Sequence, residues 1–386
     1  MPHNALLAPR ASSPVGLVFS GGGARGAFQV GVWKVLREQG LDRDPEVVSG
    51  TSSGALNAAL IAAGLSPTQM LDFWLDLATD PPIMGSEAFF RSLGRALGRL
   101  VLREPFRPLG RRRREASIMA KLLRAHRLLS SSGRAAALLD FLFTARFDLV
   151  SELLDHIDCP SLFDGRPFRE RLVRAIGCSS VRADRMRLAI NAVDARSGKV
   201  VRIVNHPPLK RSPAAAAHYR YVPAISVDMI LASAAMPLLF SPVPVGSDLL
   251  WDGGLLVNTP IAPAIALGAR RIIPVLATAG EAGYPAAVTT FGAAIERLAD
   301  AFLENAYSLD RRMLLDRNEL TASGRNPELQ PVELFRAVRP ASSRTFDACS
   351  YLYFDPDALR RMYEAGVQAA TAWLARGPEL DDRSRE

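Results

Sequence analysis

The sequence predicts an α/β fold with a largely parallel central sheet, and three stretches predict it. In each, a short apolar run leads into a glycine turn: Val15-Gly16-Leu17-Val18-Phe19 before Ser20 to Gly26, Val47-Val48 before Gly50 to Gly54, and Leu249-Leu250-Trp251 before Asp252-Gly253-Gly254. Helical spacing follows every time, over Ala27–Leu36, Ala55–Leu60 and Ile261–Gly268. Strands that alternate with helices imply parallel pairing. At 386 residues and 48% apolar side chains, the chain can bury a sizeable core as one domain carrying insertions.

The first unit is strand, glycine loop and helix without a gap. Its glycines leave backbone N–H groups unshielded, so the loop can bind a phosphate or the oxyanion of an acyl-transfer intermediate. Gly21, Gly23 and Gly26 satisfy the G-x-G-x-x-G spacing of a dinucleotide site. That reading fails at the second strand, Glu46-Val47-Val48, which ends in Ser49-Gly50 with no acid to take a ribose hydroxyl; Asp42 and Asp44 precede it. No Gly-Lys-Ser or Gly-Lys-Thr follows the glycines, which excludes a Walker A loop.

The second unit, Gly50-Thr51-Ser52-Ser53-Gly54, has the layout of a nucleophile elbow, where a strand turns abruptly into a helix and holds a serine hydroxyl clear of the backbone. The flanking Gly50 and Gly54 suit so tight a turn, although a serine before a helix is also a plain N-cap. The third unit puts Asp252 at a strand end before Gly253 and Gly254, either as a simple turn or as a carboxylate able to approach a serine. The five histidines are His3, His126, His156, His206 and His218, and none follows Asp252. A Ser, Asp, His order is therefore impossible. Either His206 or His218 serves from an unusual position, or Asp252 activates Ser52 alone, and the dyad is the favoured expectation.

Together these residues resemble the patatin-like phospholipases. The resemblance rests on Gly21-Gly22-Gly23-Ala24-Arg25-Gly26, on Gly50-Thr51-Ser52-Ser53-Gly54, on Asp252-Gly253-Gly254, and on Ala232-Ser233-Ala234-Ala235-Met236-Pro237 with Phe240 and Pro242. It covers residues 14–65 and 185–280. It implies a three-layer α/β/α fold and a serine acyl hydrolase that cleaves fatty acyl esters of lipids with no metal or cofactor. Ser52 would be the nucleophile and Asp252 its base. The loop from Gly21 to Gly26 would form the oxyanion hole through the N–H groups of Gly22, Gly23 and Ala24, with Arg25 anchoring it. The same acyl-enzyme chemistry serves a thioesterase or acyltransferase, and a catalytically silent lipid-binding protein is the reading from another class.

Charge sets a further expectation. The net charge is +8, yet Arg91 to Arg127 holds twelve basic residues against Glu104 and Glu115, which leaves the rest of the chain at −2. Arg91, Arg95, Arg99, Arg103 and Arg107 recur every four residues among Phe89, Phe90, Leu93, Leu97, Leu100 and Val101, describing a basic amphipathic helix as far as Pro105. Pro105, Pro108 and Gly110 then suggest a bend before Arg111-Arg112-Arg113-Arg114. Two readings stand: a solvated face, and peripheral docking on anionic lipid. Nucleic acid is not an expected partner, because no zinc spacing, aromatic RNA motif or recognition-helix context accompanies the arginines.

The expected organisation is a lead over 1–13 and a catalytic domain over 14–280 with the basic insertion at 80–150. A helical region over 281–375 and a frayed tail over 376–386 complete it. A hairpin joins 188–193 to 199–204, a strand runs from Arg271 to Leu276, and surface helices cover 285–317 and 357–375. Cys159, Cys178 and Cys349 are widely spaced and odd in number, which points to a reducing compartment and to small buried hydrophobes. No signal peptide or membrane span is legible, so the expected location is the cytoplasm, with membrane association through the insertion. The sequence sets no oligomeric state.

Overall fold

The computed structural model describes residues 14–40, 45–79, 84–103, 154–182, 186–209, 217–280, 288–324, 330–342, 346, 350–352 and 354–381. The chain divides into two units. One comprises Met1–Asp80, Arg169–Ala235 and Pro242–Glu386; the other comprises Pro81–Phe168 and Met236–Ser241.

The first unit is built on a nine-stranded sheet. Its strands are β1 (Val15–Phe19), β2 (Pro45–Thr51), β3 (Arg187–Asp194), β4 (Val200–Val204), β5 (Tyr219–Tyr221), β6 (Val243–Val245), β7 (Asp248–Asp252), β8 (Arg271–Val275) and β9 (Glu333–Leu334). The run β9, β8, β1, β2, β3 is parallel throughout. Every residue of β1 and β8 is buried, as strands covered on both faces must be. Helices α1 (Gly26–Glu38), α2 (Ser53–Ala62) and α3 (Pro67–Thr79) follow β1 and β2, while α4 (Val227–Ser233), α5 (Ile261–Ala266), α6 (Phe291–Ala322) and α7 (Pro356–Arg376) come later. Val18, Val47, Ala189 and Ile272 pack with Ile261 and Ile265 of α5 and with Tyr307 and Leu314 of α6. On the other side α2 lies along β1, β2 and β3, and α1 packs along α7. The result is the three-layer α/β/α arrangement.

Register in this sheet places the site. Along one edge of β3, the last residue of β2, Thr51, pairs with Asn191. The last residue of β7, Asp252, pairs antiparallel with the next residue, Ala192. Because β4 occupies the opposite edge from Ala189 to Val193, β2 and β7 must share one edge and meet end to end. Thr51 and Asp252, far apart in the chain, thus leave their strands at the same point.

In the other unit the basic helix runs over Glu87–Arg103. Phe89, Leu93 and Ala96 bury its apolar face with Phe90, Ile157, Cys159 and Leu162, while Arg91, Arg95 and Arg99 are exposed. Arg91 is 3.8 Å from Glu87 and Arg95 is 4.0 Å from Asp158, both at the surface. The expected bend and Arg111, Arg112, Arg113 and Arg114 lie outside the described residues.

Several expectations are corrected. The start of the expected tail is pinned: Glu379 accepts from the Arg336 N–H at 2.9 Å, Asp381 donates to the Leu334 carbonyl at 2.7 Å, and Arg311 grips the Asp381 carboxylate with two contacts of 2.8 Å. These bonds extend the sheet edge beyond α7, so residues through Asp381 are held; 382–386 lie outside the described residues. Helix α7 is more than a surface helix, since Leu359, Met362, Gly366, Ala370 and Trp373 are buried. Cys178 is exposed, with its thiol donating to the Ser180 carbonyl at 2.8 Å, and Cys159 is half-buried. Cys349 lies outside the described residues.

Candidate active site

Ser52 sits between β2 and α2 with φ 55° and ψ −126°. A non-glycine residue holds such a conformation only when its surroundings impose it, at a cost of about 1–3 kcal/mol. Here the constraint is the close approach of strand and helix: a side chain at Gly50 would lie 2.0 Å from the Gly54 carbonyl oxygen, and one at Gly54 would lie 2.4 Å from the Phe19 carbonyl oxygen. The Ser52 N–H donates to Ser233 Oγ at 3.1 Å, and Ser233 in turn donates to the Asn191 carbonyl at 2.5 Å. Helix α4 therefore clamps the elbow to β3.

Asp252 is buried and ends β7. Its Oδ1 accepts from the Gly254 N–H at 2.7 Å, and the Ser52 side chain nearby favours its ionised form. Burial pushes its pKa up from 3.8 to about 6, against the opposing pull of the Gly254 N–H bond and the nearby Ser52 side chain. The loop behind it is tied to β2, since Ser49 Oγ donates to the Pro260 carbonyl at 2.8 Å and Thr51 Oγ1 to the Val257 carbonyl at 3.1 Å.

The glycine loop reaches the same point from β1. The Gly21 N–H donates to Asn258, both to its side-chain oxygen at 3.1 Å and to its carbonyl at 3.2 Å. The Ala24 N–H donates to the Tyr351 carbonyl at 2.9 Å, and the Arg25 N–H to the Gly22 carbonyl at 3.1 Å. The Gly26 N–H turns back on Ala24 and Gly23. Among the described residues, only the Gly22 and Gly23 N–H groups of this loop remain without a partner, so Ala24 is removed from the expected set of free donors. Gly23 has φ +56°, and a side chain there would come 2.0 Å from the Tyr351 carbonyl oxygen.

Arg25 is fully buried and bolts the loop down. Its guanidinium donates to Ser350 Oγ at 2.8 Å, Asp300 Oδ1 at 2.7 Å, Tyr351 Oη at 3.0 Å and the Ala277 carbonyl at 3.2 Å, and it pairs with Glu296. It also lies 4.4 Å from the Phe346 ring centre and 3.9 Å from that of Tyr351. The loop's two ends are held by a second buried network. Gln29 donates to the Ser20 carbonyl at 2.7 Å, Asn57 to the Gly26 carbonyl at 2.9 Å, and Trp74 to Asn57 at 3.0 Å. Sequence reasoning passed over Asn258 and Asn57, although Asn57 stood out as the one polar residue in the apolar run Ala55–Leu60.

Neither histidine kept as an alternative base is near. His206 follows Asn205, which is bonded to Leu188 three residues before Asn191 on β3, about 10 Å toward the opposite end of the strand. Its own Nδ1 lies 3.0 Å from Asn205 Oδ1, and burial lowers its pKa. His218 precedes β5, which lies beyond β4 on the edge of β3 turned away from β2.

The profile described as patatin-like phospholipase matches residues 17–265, the span that contains all three motifs. A lysophospholipase, nte1, of Aspergillus terreus (strain NIH 2624 / FGSC A1156) is 58% identical over 48 residues, which are 12% of this chain and 3% of the fungal protein. The patatin-like phospholipase domain-containing protein ZK370.4 of Caenorhabditis elegans is 54% identical over 48 residues, again 3% of its length. This chain thus spans a small fraction of the curated relatives that it matches. Among solved structures, VipD from Legionella pneumophila covers 97% of this chain at 16% identity with a TM-score of 0.38, over 68% of its own length. The type III effector ExoU covers 96% at 18% identity with a TM-score of 0.34, over 55% of its own length.

Proposed function

This chain belongs to the patatin-like phospholipase family, and on that premise we propose that it is a lipid acyl hydrolase working through an acyl-Ser52 intermediate. The supporting observation is a strained serine and a buried aspartate at the meeting ends of two strands, beside two unpartnered backbone N–H groups. Asp252 takes the Ser52 proton as Oγ bonds to the ester carbonyl carbon, and the carbonyl electrons move onto oxygen. The Gly22 and Gly23 N–H groups receive that negative charge. Collapse of the tetrahedral intermediate breaks the bond to the alcohol, which leaves with the proton held by Asp252. Water then gives a proton to Asp252, attacks the acyl carbon and releases the fatty acid, and Ser52 recovers its proton.

The test is turnover of a short-chain aryl ester together with fatty acid release from phospholipid in mixed micelles. The proposal predicts both, and failure to cleave either would contradict it. Because Asp252 acts without an imidazole, His206→Ala and His218→Ala are each expected to keep wild-type turnover of the aryl ester. A loss comparable to that of Ser52→Ala would bring a histidine back into the mechanism.

The exposed Arg91, Arg95 and Arg99 of the basic helix support a second part of the proposal, peripheral contact with anionic lipid. Each basic side chain near such a surface contributes about 1 kcal/mol. Changing all three to Ala is expected to lower binding to anionic vesicles at low salt, and an unchanged binding curve would contradict this role.

A further inference from the structure

Asn258 links the glycine loop to the loop that carries Asp252. Its backbone is anchored to β2 on both sides, since the Val257 carbonyl accepts from Thr51 Oγ1 at 3.1 Å and the Pro260 carbonyl from Ser49 Oγ at 2.8 Å. The residue is only 2% exposed. From that fixed base its Oδ1 accepts from the Gly21 N–H at 3.1 Å, across 237 positions of sequence. The next residue is Gly22, the first unpartnered donor of the loop.

The same oxygen stands close to both Ser52 and Asp252. A side-chain carbon on Gly21 would lie 2.5 Å from Asn258 Oδ1 and 3.1 Å from Ser52 Cβ. One on Gly254 would lie 3.3 Å from Asn258 Oδ1 and 3.1 Å from Asp252 Oδ1. These distances bound Asn258 Oδ1 within about 6.5 Å of Ser52 Cβ and of Asp252 Oδ1. A full charge at that range in a buried site would act strongly on a carboxylate, whereas the amide oxygen carries none. From β3, from the turn after α4 and from the elbow, Asp252 meets Ala192, Ala235 and Ser52, and no charged side chain among the described residues acts on it.

The fold does not need this side chain to hold the loop, because the Gly21 N–H also reaches the Asn258 carbonyl at 3.2 Å. What Oδ1 adds is direction. We infer that Asn258 is a positioning residue: its side-chain oxygen, set between Gly21 and Gly254, fixes where the Gly22 and Gly23 N–H groups point relative to Ser52 and leaves Asp252 without a charged neighbour. This role rests on the hydrolase reading above.

The test is the pH dependence of aryl ester turnover by Asn258→Ala and Asn258→Asp, with thermal midpoints as the check on folding. Ala removes the acceptor and should lower kcat by between about tenfold and about a hundredfold with KM unchanged, the loss expected when oxyanion donors are misplaced by about 1 Å. Asp keeps the acceptor and sets a second carboxylate beside Asp252. The rising limb of turnover should then move up from about 6 by at least about one pH unit, with a plateau above that of the Ala variant. A residue that merely braced the fold would leave the limb in place. Should the Ala variant fail to fold, the Asp variant, equal in size to Asn, carries the test alone.

Three results would overturn the inference: wild-type kcat in the Ala variant, an Ala loss confined to KM, or a limb in the Asp variant at the wild-type pH. Each leaves wild-type turnover and the hydrolase reading intact. Wild type without turnover would sink that reading instead, and a carbon NMR titration of Asp252 then decides for Asn258. A midpoint raised in Asn258→Asp keeps the residue beside Asp252, and an unmoved midpoint overturns the inference as well.

Discussion

Ser52→Ala should abolish ester turnover, with a loss of at least about a thousandfold, while the protein keeps its fold. The substitution removes one hydroxyl at a position half-open to solvent and leaves the Ser52 N–H bond to Ser233 in place. Glycine loop, elbow geometry and Asp252 all survive it, so lost turnover would report the missing nucleophile. The measurement is kcat/KM on a short-chain aryl ester together with the thermal midpoint. An Ala variant that retained a tenth of wild-type turnover would place the chemistry elsewhere.

Asp252→Asn should lower kcat by between about a hundredfold and about ten-thousandfold, the usual worth of a general base, yet raise stability at neutral pH. The sign follows from the pKa. Burial raises Asp252 from 3.8 to about 6, so the folded state holds its proton more tightly than the unfolded state does. The stability this gives is fully present below pH 3.8 and is lost as pH rises to about 6. Above that, the fold carries an ionised carboxylate at a cost of about 3 kcal/mol, which a neutral Asn avoids while still accepting from the Gly254 N–H. Urea titrations should show the Asn variant more stable than wild type at pH 8, with the gap narrowing to about half at pH 5. A gap independent of pH would mean that Asp252 is not perturbed. The same pKa predicts wild-type turnover that rises with pH and levels off above about 6, because only the ionised carboxylate can take the serine proton.

The parts of the site that were legible in the sequence are those made by neighbours in the chain. β1 with its glycine loop and α1, and β2 with its elbow and α2, each need only an apolar run, close-packed glycines and helical spacing, all contiguous in sequence. What decided the geometry was long-range pairing. Nothing near Asp252 or Thr51 announces that they pair with Ala192 and Asn191, adjacent residues of one strand. The burial of Arg25 depends on Glu296, Asp300, Ser350 and Tyr351, more than 270 positions away, and no local pattern links them. The same distance hid the loss of the Ala24 N–H to the Tyr351 carbonyl, so a loop that looked like three free donors offers two. The second unit takes Met236–Ser241 as well as Pro81–Phe168, and a contiguous insertion was all that charge and helix breakers could suggest.

The most direct test of the dyad is labelling of the wild-type protein with a fluorophosphonate, followed by peptide mapping of the adduct across a pH series. The account predicts a single adduct, on Ser52, forming at a rate that rises with pH to a plateau above about 6 and lost in Asp252→Asn. An adduct on another serine, or one on Ser52 whose rate ignores both pH and Asp252, would contradict it.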